Sequence, residues 1–185
     1  MQPITFITSN ANKLTEVNAI LPRSVSITHR ALDIPEIQGS LEEIAIDKCR
    51  RAADIVNGPV LVEDSALAFH AMNGLPGPYI KYFFEALGNT GLNRLLDGFD
   101  DRTADAVCTF AYSTGPGTQP VIFQGRITGK IVSPRGQPNF GWEPIFEYEG
   151  TTLAEMENDV KNKLSHRYRA LFKFQEWMST NATAL

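Results

Sequence analysis

"PITFITSNANKLTEV", Pro3–Val17, decides the fold. Ile4–Thr8 is a short β-like run that breaks on Ser9, Asn10, Ala11, Asn12 and Lys13. From Lys13 apolar residues return at helical spacing, which predicts a helix over Lys13–Leu21. A strand passing through small polar residues into a helix leaves backbone N–H groups pointing outward. Such a turn either caps its helix or cradles phosphate oxygens, with Lys13 as a point charge. No GxxxxGK[ST] is present, so it is not a P-loop.

Outward from this stretch, strands and helices alternate. "SVSITH", Ser24–His29, reads as a second strand, and Ser40 opens a long helix to Val56, with Ser40 and Glu43 in capping-box spacing. Val60–Glu63 reads as a short apolar strand ended by Asp64 and Ser65, and Leu67–Met72 as strand or helix. "GLPGP", Gly74–Pro78, is a rigid turn, and Tyr79–Leu87 and Gly91–Leu96 look helical. Thr103–Thr114 and Val121–Val132 are two long strands joined by "GPGTQP", an expected hairpin. Ser165–Met178 is an amphipathic helix. Alternation early and a hairpin late predict an α/β fold with a mixed sheet.

With 185 residues the chain suits one domain spanning 1–185. A net charge of -4 and a pI near 5.4 argue against binding duplex nucleic acid, yet leave room for a small anionic ligand met by a local cation cluster. No signal-peptide pattern and no run approaching ~20 apolar residues appear, so no membrane partner is expected. Cys49 and Cys108 show no metal spacing and read as buried thiols of a reducing compartment. The expected location is the cytoplasm, with the nucleus left open.

Several charged residues stand where apolar ones are expected. Leu41, Ile44, Ala45, Cys49, Ala52, Ala53 and Val56 form one helix stripe, and Lys48 falls inside it. An ammonium there either snorkels to water or meets an anion. Arg167, four residues before Leu171, lies over the buried face of the last helix. With His166 it stands at a helix start that Ser165 would cap, where anions and acceptor oxygens are favoured. Glu36 in "DIPEIQG" and Glu63-Asp64 at the end of "VLVEDS" are either solvated turns or metal and base positions, since ligands gather at strand C-terminal ends. Carboxylate oxygens suit Mg2+ bridging to phosphates. "NFGWEPIF" places Phe140 and Trp142 around a glycine, as core aromatics or as faces for a base. Together these fit a magnesium–nucleotide site.

The stretches "FITSNANKLTEV", "DIPEIQG", "IAIDKC", "VLVEDSALAF", "GLPGPYIKYF", "FGWEP" and "SHRYRAL", in this order over nearly the whole chain, resemble the inosine triphosphate pyrophosphatase family, its eukaryotic branch most. The resemblance implies hydrolysis of the deaminated or non-standard purine triphosphates ITP, dITP and XTP to monophosphate and pyrophosphate with Mg2+, Mn2+ being the substitute. It implies a homodimer, and an elongated mixed sheet flanked by helices, in two lobes with a central cleft. Thr8, Ser9, Asn10, Ala11, Asn12 and Lys13 would contact phosphate. Glu36 and Asp64 would hold the metal. Asp64, with Glu63 beside it, would activate the attacking water. Lys48, Ser65 and Lys81 would meet the triphosphate or sugar. Phe140, Gly141, Trp142, Glu143, Lys161, His166 and Arg167 would line the base pocket, with donors from His166 and Arg167 on the purine 6-oxygen. The family usually has Asp where this chain has Glu143, a carboxylate one methylene longer. The alternatives are a pyrophosphatase for another modified triphosphate and a nucleotide-binding module without catalysis. Glu36, Glu63 and Asp64 speak against the second.

Overall fold

The computed structural model describes residues 2–181. Its strands are β1 Ile4–Ile7, β2 Ile27–Arg30, β3 Val60–Phe69, β4 Pro76–Gly77, β5 Thr103–Ser113, β6 Val121–Ile131, β7 Phe146–Tyr148 and β8 Thr151–Thr152. Its α-helices are α1 Ala11–Ile20, α2 Leu41–Val56, α3 Ile80–Arg94, α4 Asn158–Lys161 and α5 His166–Asn181. The sheet runs β2-β1-β3-β5-β6-β7-β8, with β4 paired to β3. β1 is parallel to β2 and β3, as helical crossovers require, whereas β6, β7 and β8 pair antiparallel. The sheet is mixed, as the sequence predicts. No helix among the described residues is long and apolar enough to cross a membrane.

Two compact units divide the chain. The first contains the described residues up to Asp64, Cys108–Gly125, and those from Arg167 on. Here strand alternation sorts side chains onto two faces. Phe6, Leu61, Cys108, Phe110 and Tyr112 pack with Ala170, Leu171, Phe174 and Met178 of α5. Their neighbours Ile7, Val60, Val62 and Ala111 pack with Ala45, Cys49, Ala52 and Ala53 of α2. Each large side chain so buried contributes about 1.5–3 kcal/mol before entropy is counted. α2 begins as its sequence dictates: Ser40 Oγ accepts the Glu43 N–H at 3.2 Å, and Glu43 Oε2 accepts the Ser40 N–H at 2.8 Å. Both cysteines are free thiols with no exposed surface.

β3 does not stop at Asp64. It runs on to Phe69, with Asp64 and Ser65 half-buried and Ala66 and Leu67 fully buried. "EDS" has turn composition, but its residues alternate between faces and so stay compatible with a strand.

The second unit contains Ser65–Val107 and Arg126–His166. Its core gathers Phe69, Leu92, Leu96, Ile127, Ile131, Ile145 and Phe146. The two helical stretches expected at Tyr79–Leu87 and Gly91–Leu96 are both present within α3, as two helices that meet at a break at Gly88 with φ 62 and ψ -176. On β5, Asp105 accepts from Thr128 Oγ1 at 2.6 Å, Arg126 Nη1 at 2.7 Å and His70 Nε2 at 3.1 Å. Burial alone would raise this carboxyl, but the three donors outweigh it and hold it below the usual range. A depressed folded-state value adds stability above the unfolded value of about 3.9, lost as pH falls through the folded one. The thermal midpoint of Asp105→Asn should therefore lie below that of the parent at neutral pH. The gap should hold down to the unfolded value of about 3.9 and narrow as pH falls below it, as followed by circular dichroism melts.

Candidate active site

The opening turn places Lys13. Thr8 Oγ1 accepts the Asn10 N–H at 3.1 Å, and Asn10 Oδ1 caps α1 by accepting the Lys13 N–H at 3.1 Å. Ser9, Asn10, Ala11 and Asn12 are exposed, and His29 Nε2 donates to the Thr8 carbonyl at 2.7 Å. The first N–H groups of a helix have no intrahelical acceptor, so this turn presents donors.

Alternation along β3 then separates the adjacent acids. Glu63 shares the face of Leu61, toward α1 and α5, and Asp64 shares the face of Val62, toward α2. Glu63 has a side chain with no exposed surface. It meets Lys13 Nζ at 2.7 Å through Oε2, and through Oε1 accepts from Arg167 Nη2 at 3.2 Å and Cys108 Sγ at 3.3 Å. Arg167 Nη1 also donates to Glu16. Burial works against the Arg167 charge, but the Glu63 and Glu16 carboxylates outweigh it and raise its pKa. Burial and Glu63 push the Cys108 thiol well up, which keeps it a neutral S–H donor.

On the other face, Lys48 leaves the apolar stripe of α2 to stand between two acids. Its Nζ donates to Asp64 Oδ1 at 2.6 Å and Glu36 Oε1 at 3.0 Å, with the side chain 15% exposed. Burial disfavours its charge, and the two carboxylates more than restore it. Asp64 itself is pushed up by burial, which Lys48 and Lys13 reduce without cancelling and to which Glu36 adds. Asp64 Oδ2 is buried and accepts no hydrogen bond from the described residues. Glu16, Glu36, Glu63 and Asp64 stand against Lys13, Lys48 and Arg167, four carboxylates to three cations.

This donor set fits a divalent cation. Lys48 shows that Glu36 and Asp64 converge where positive charge is favoured, and Asp64 Oδ2 is a buried acceptor to which no described residue donates. No group of three or more His, Cys, Asp or Glu among the described residues could hold a metal alone. Mg2+ needs only one or two carboxylates when waters and phosphates complete its shell.

The remaining expected residues lie in the second unit, except Arg167. Trp142, 9% exposed, packs edge-on to Phe146 at 5.8 Å and lies 5.5 Å from the buried His166 ring. Glu143 receives Lys161 Nζ on both oxygens, at 2.8 and 2.9 Å, and that ammonium lies 5.6 Å from the Phe140 ring centre. The longer Glu143 side chain thus ends on Lys161. Ser65 is half-buried on β3, and Lys81 is exposed in the first turn of α3 beside the Tyr82 ring. Arg167 Nη1 is engaged by Glu16 and Nη2 by Glu63, with the side chain 2% exposed.

Two members of the cluster, Glu16 and Cys108, do not stand out in the sequence. Glu16 follows Lys13 by three positions, which puts both on one flank of α1. Cys108 is two positions before Phe110, which puts it on the face of Glu63.

A model of the Ham1 family matches residues 4–177. The chain is 63% identical over 178 residues to a protein of Emericella nidulans named inosine triphosphate pyrophosphatase, covering 96% of this chain and 97% of that protein. It is 61% identical to a Neurospora crassa protein of the same name, covering 98% and 95%. Among solved structures, a HAM1 protein from Coxiella burnetii matches with a TM-score of 0.87 at 29% identity, over 97% of this chain and 100% of that one. A Mycobacterium abscessus structure described as a nucleoside-triphosphatase and dITP/XTP pyrophosphatase matches at 0.73 and 29%, over 94% and 98%.

Proposed function

The chain belongs to the Ham1 family, and from that membership we propose how its residues act as a nucleoside triphosphate pyrophosphatase. It hydrolyses ITP, dITP and XTP to the monophosphate and pyrophosphate, removing deaminated purine nucleotides from the pool. The observation that carries the catalytic reading is Lys48 between Glu36 and Asp64, beside a buried Asp64 oxygen to which no described residue donates.

Asp64 is the base. Water attacks the α-phosphorus, its proton passes to the Asp64 carboxylate, and the bond from the α-phosphorus to the bridging oxygen breaks to release pyrophosphate. Burial raises the Asp64 carboxyl above the usual carboxylate value, and its Oδ2, to which no described residue donates, is the atom open to the proton. Lys13 and Lys48 neutralise phosphate charge, and the α1 turn from Thr8 to Asn12 offers N–H donors to phosphate oxygens. Glu36 and Asp64 would hold Mg2+, whose chemistry when bound is to offset charge on the leaving pyrophosphate. Glu63 fixes Lys13 against Arg167. In the second unit Phe140, Trp142, Glu143, Lys161 and His166 serve the base, and Ser65 and Lys81 serve sugar or phosphate. Hypoxanthine and xanthine carry an acceptor at position 6 where adenine carries a donor. A buried donor set therefore rejects adenine, by up to ~10⁴-fold where the polar groups would be left unpaired. The active species is a homodimer, to be checked by light scattering on the eluting peak.

A panel of ITP, dITP, XTP, GTP, ATP and pyrimidine triphosphates, with pyrophosphate detection, tests this reading. Hydrolysis should favour ITP, dITP and XTP and should vanish on chelation, returning with Mg2+. ITP binding without pyrophosphate release in Mg2+ would remove the catalytic reading. Lys13→Ala should raise KM for ITP about tenfold, the equivalent of a lost charge-assisted contact of about 1.5 kcal/mol, and keep kcat within about twofold. Steady-state kinetics decides this, and an unchanged KM would take Lys13 out of phosphate binding.

A further inference from the structure

Asn89 stands outside the residues assigned above. α3 leaves helical geometry at Gly88, whose φ of 62 favours a residue without Cβ, and resumes with Asn89. Asn at a helix start usually accepts a backbone N–H of the next turn through its side-chain oxygen. Asn89 does not. Its Oδ1 is buried and accepts no hydrogen bond from the described residues, while Nδ2 donates to the Gly141 carbonyl at 3.1 Å. The amide orientation follows from that contact, since only the nitrogen can meet a carbonyl oxygen.

Gly141 lies between Phe140 and Trp142 with φ 53, in a turn that packing does not wedge: a Cβ added there meets nothing within 4 Å. The ends of its loop are tied, with the Val132 N–H on the Ile145 carbonyl and the Arg135 N–H on the Pro144 carbonyl, both at 2.9 Å. Residues 133–139 of this loop, Arg135 among them, are exposed. The Phe140 carbonyl accepts the Glu143 N–H at 3.2 Å and closes the turn from within, and the hydrogen bond from Asn89 adds a tie from α3 to the Gly141 carbonyl.

We infer that Asn89 is a positioning residue for base recognition: from the kink of α3 its carboxamide holds the Gly141 carbonyl, fixes the turn carrying Phe140, Trp142 and Glu143, and so governs KM and base preference rather than turnover. This rests on the assignment of residues 140–143 to the base. Asn89 touches no reacting atom. Its loss leaves the turn to be ordered on each binding event, which lowers affinity. Loss of uniform binding raises KM and spares kcat.

The test compares Asn89→Ala and Asn89→Asp with the parent on ITP and ATP. Asn89→Ala should raise KM for ITP about fivefold or more with kcat within about twofold, and should narrow the preference for ITP over ATP. Asn89→Asp sets an anionic acceptor against the Gly141 carbonyl and should be worse than alanine at pH 7.5. Its KM relative to the parent should recover toward pH 5, as protonation restores a donor, which a merely structural role would not produce. In a Trp177→Phe background, which leaves Trp142 the single tryptophan, Asn89→Ala should also increase acrylamide quenching. A fall in kcat matched by a fall in thermal midpoint overturns the inference. If quenching rises but KM for ITP is unchanged, Asn89 holds the turn and the base assignment of that turn fails instead. If quenching is also unchanged, the inference itself falls.

Discussion

Asp64→Asn is expected to lower kcat for ITP by ~10²–10⁴-fold with little change in KM, the range a positioned acid–base group supplies. The substitution preserves shape and removes both the charge and the ability to take a proton. The surroundings of Asp64 are the reason. Lys48 occupies Oδ1 at 2.6 Å, Oδ2 is buried with no donor among the described residues, and burial pushes the carboxyl upward. Lys48 keeps its contact with Glu36 at 3.0 Å, so the variant should fold and still bind triphosphate. Single-turnover measurements with ITP, beside a binding titration, separate the two effects. A turnover close to that of the parent would take Asp64 out of the chemistry.

Arg167→Ala should cause the largest loss of stability of any single change in the cluster, about 3–5 kcal/mol, because it takes a buried guanidinium away from two buried carboxylates. The guanidinium is 2% exposed and donates to Glu16 and Glu63, whose side chains are 9% and 0% exposed. Lys13 still meets Glu63, whereas Glu16 loses the guanidinium beside it. For a chain of this length the thermal midpoint should fall by roughly 10 °C. Adding Glu16→Gln to Arg167→Ala removes a carboxylate that has lost its guanidinium and should recover part of the loss, so the two changes are less than additive. Additive losses in urea unfolding would show that the pair does not act as a unit. An arginine merely solvated at a helix start would lose well under 1 kcal/mol.

Local chemistry is legible where neighbours in the chain decide it. The α2 start follows from Ser40 and Glu43, and the α2 stripe by itself marks Lys48 as an intruder. The strand-to-helix turn at Asn10–Lys13 reads directly from residue types. Where a charge goes once the chain folds is not legible in this way. Arg167 meets Glu16 across 151 positions and Glu63 across 104, and no spacing rule reaches that far. In the sequence Glu16 resembles any helix-surface acid, and Arg167 resembles a donor for a base. β3 reads as shorter than it is because "EDS" has the composition of a turn. The alternation that carries the strand through these residues also sends Glu63 and Asp64 to opposite faces, which turns one acidic dipeptide into two ion-pair centres.

The concealment of both thiols gives the first unit an internal chronometer. Cys49 and Cys108 lie on the two opposed faces of its sheet layer, neither with any surface to offer a reagent, and burial pushes Cys49 up to about 12. Reaction with a disulfide reagent needs an accessible thiolate. Labelling of either sulfur therefore dates the moment its own face parts, and a difference in pace between the two would reveal whether the faces come apart together or in turn.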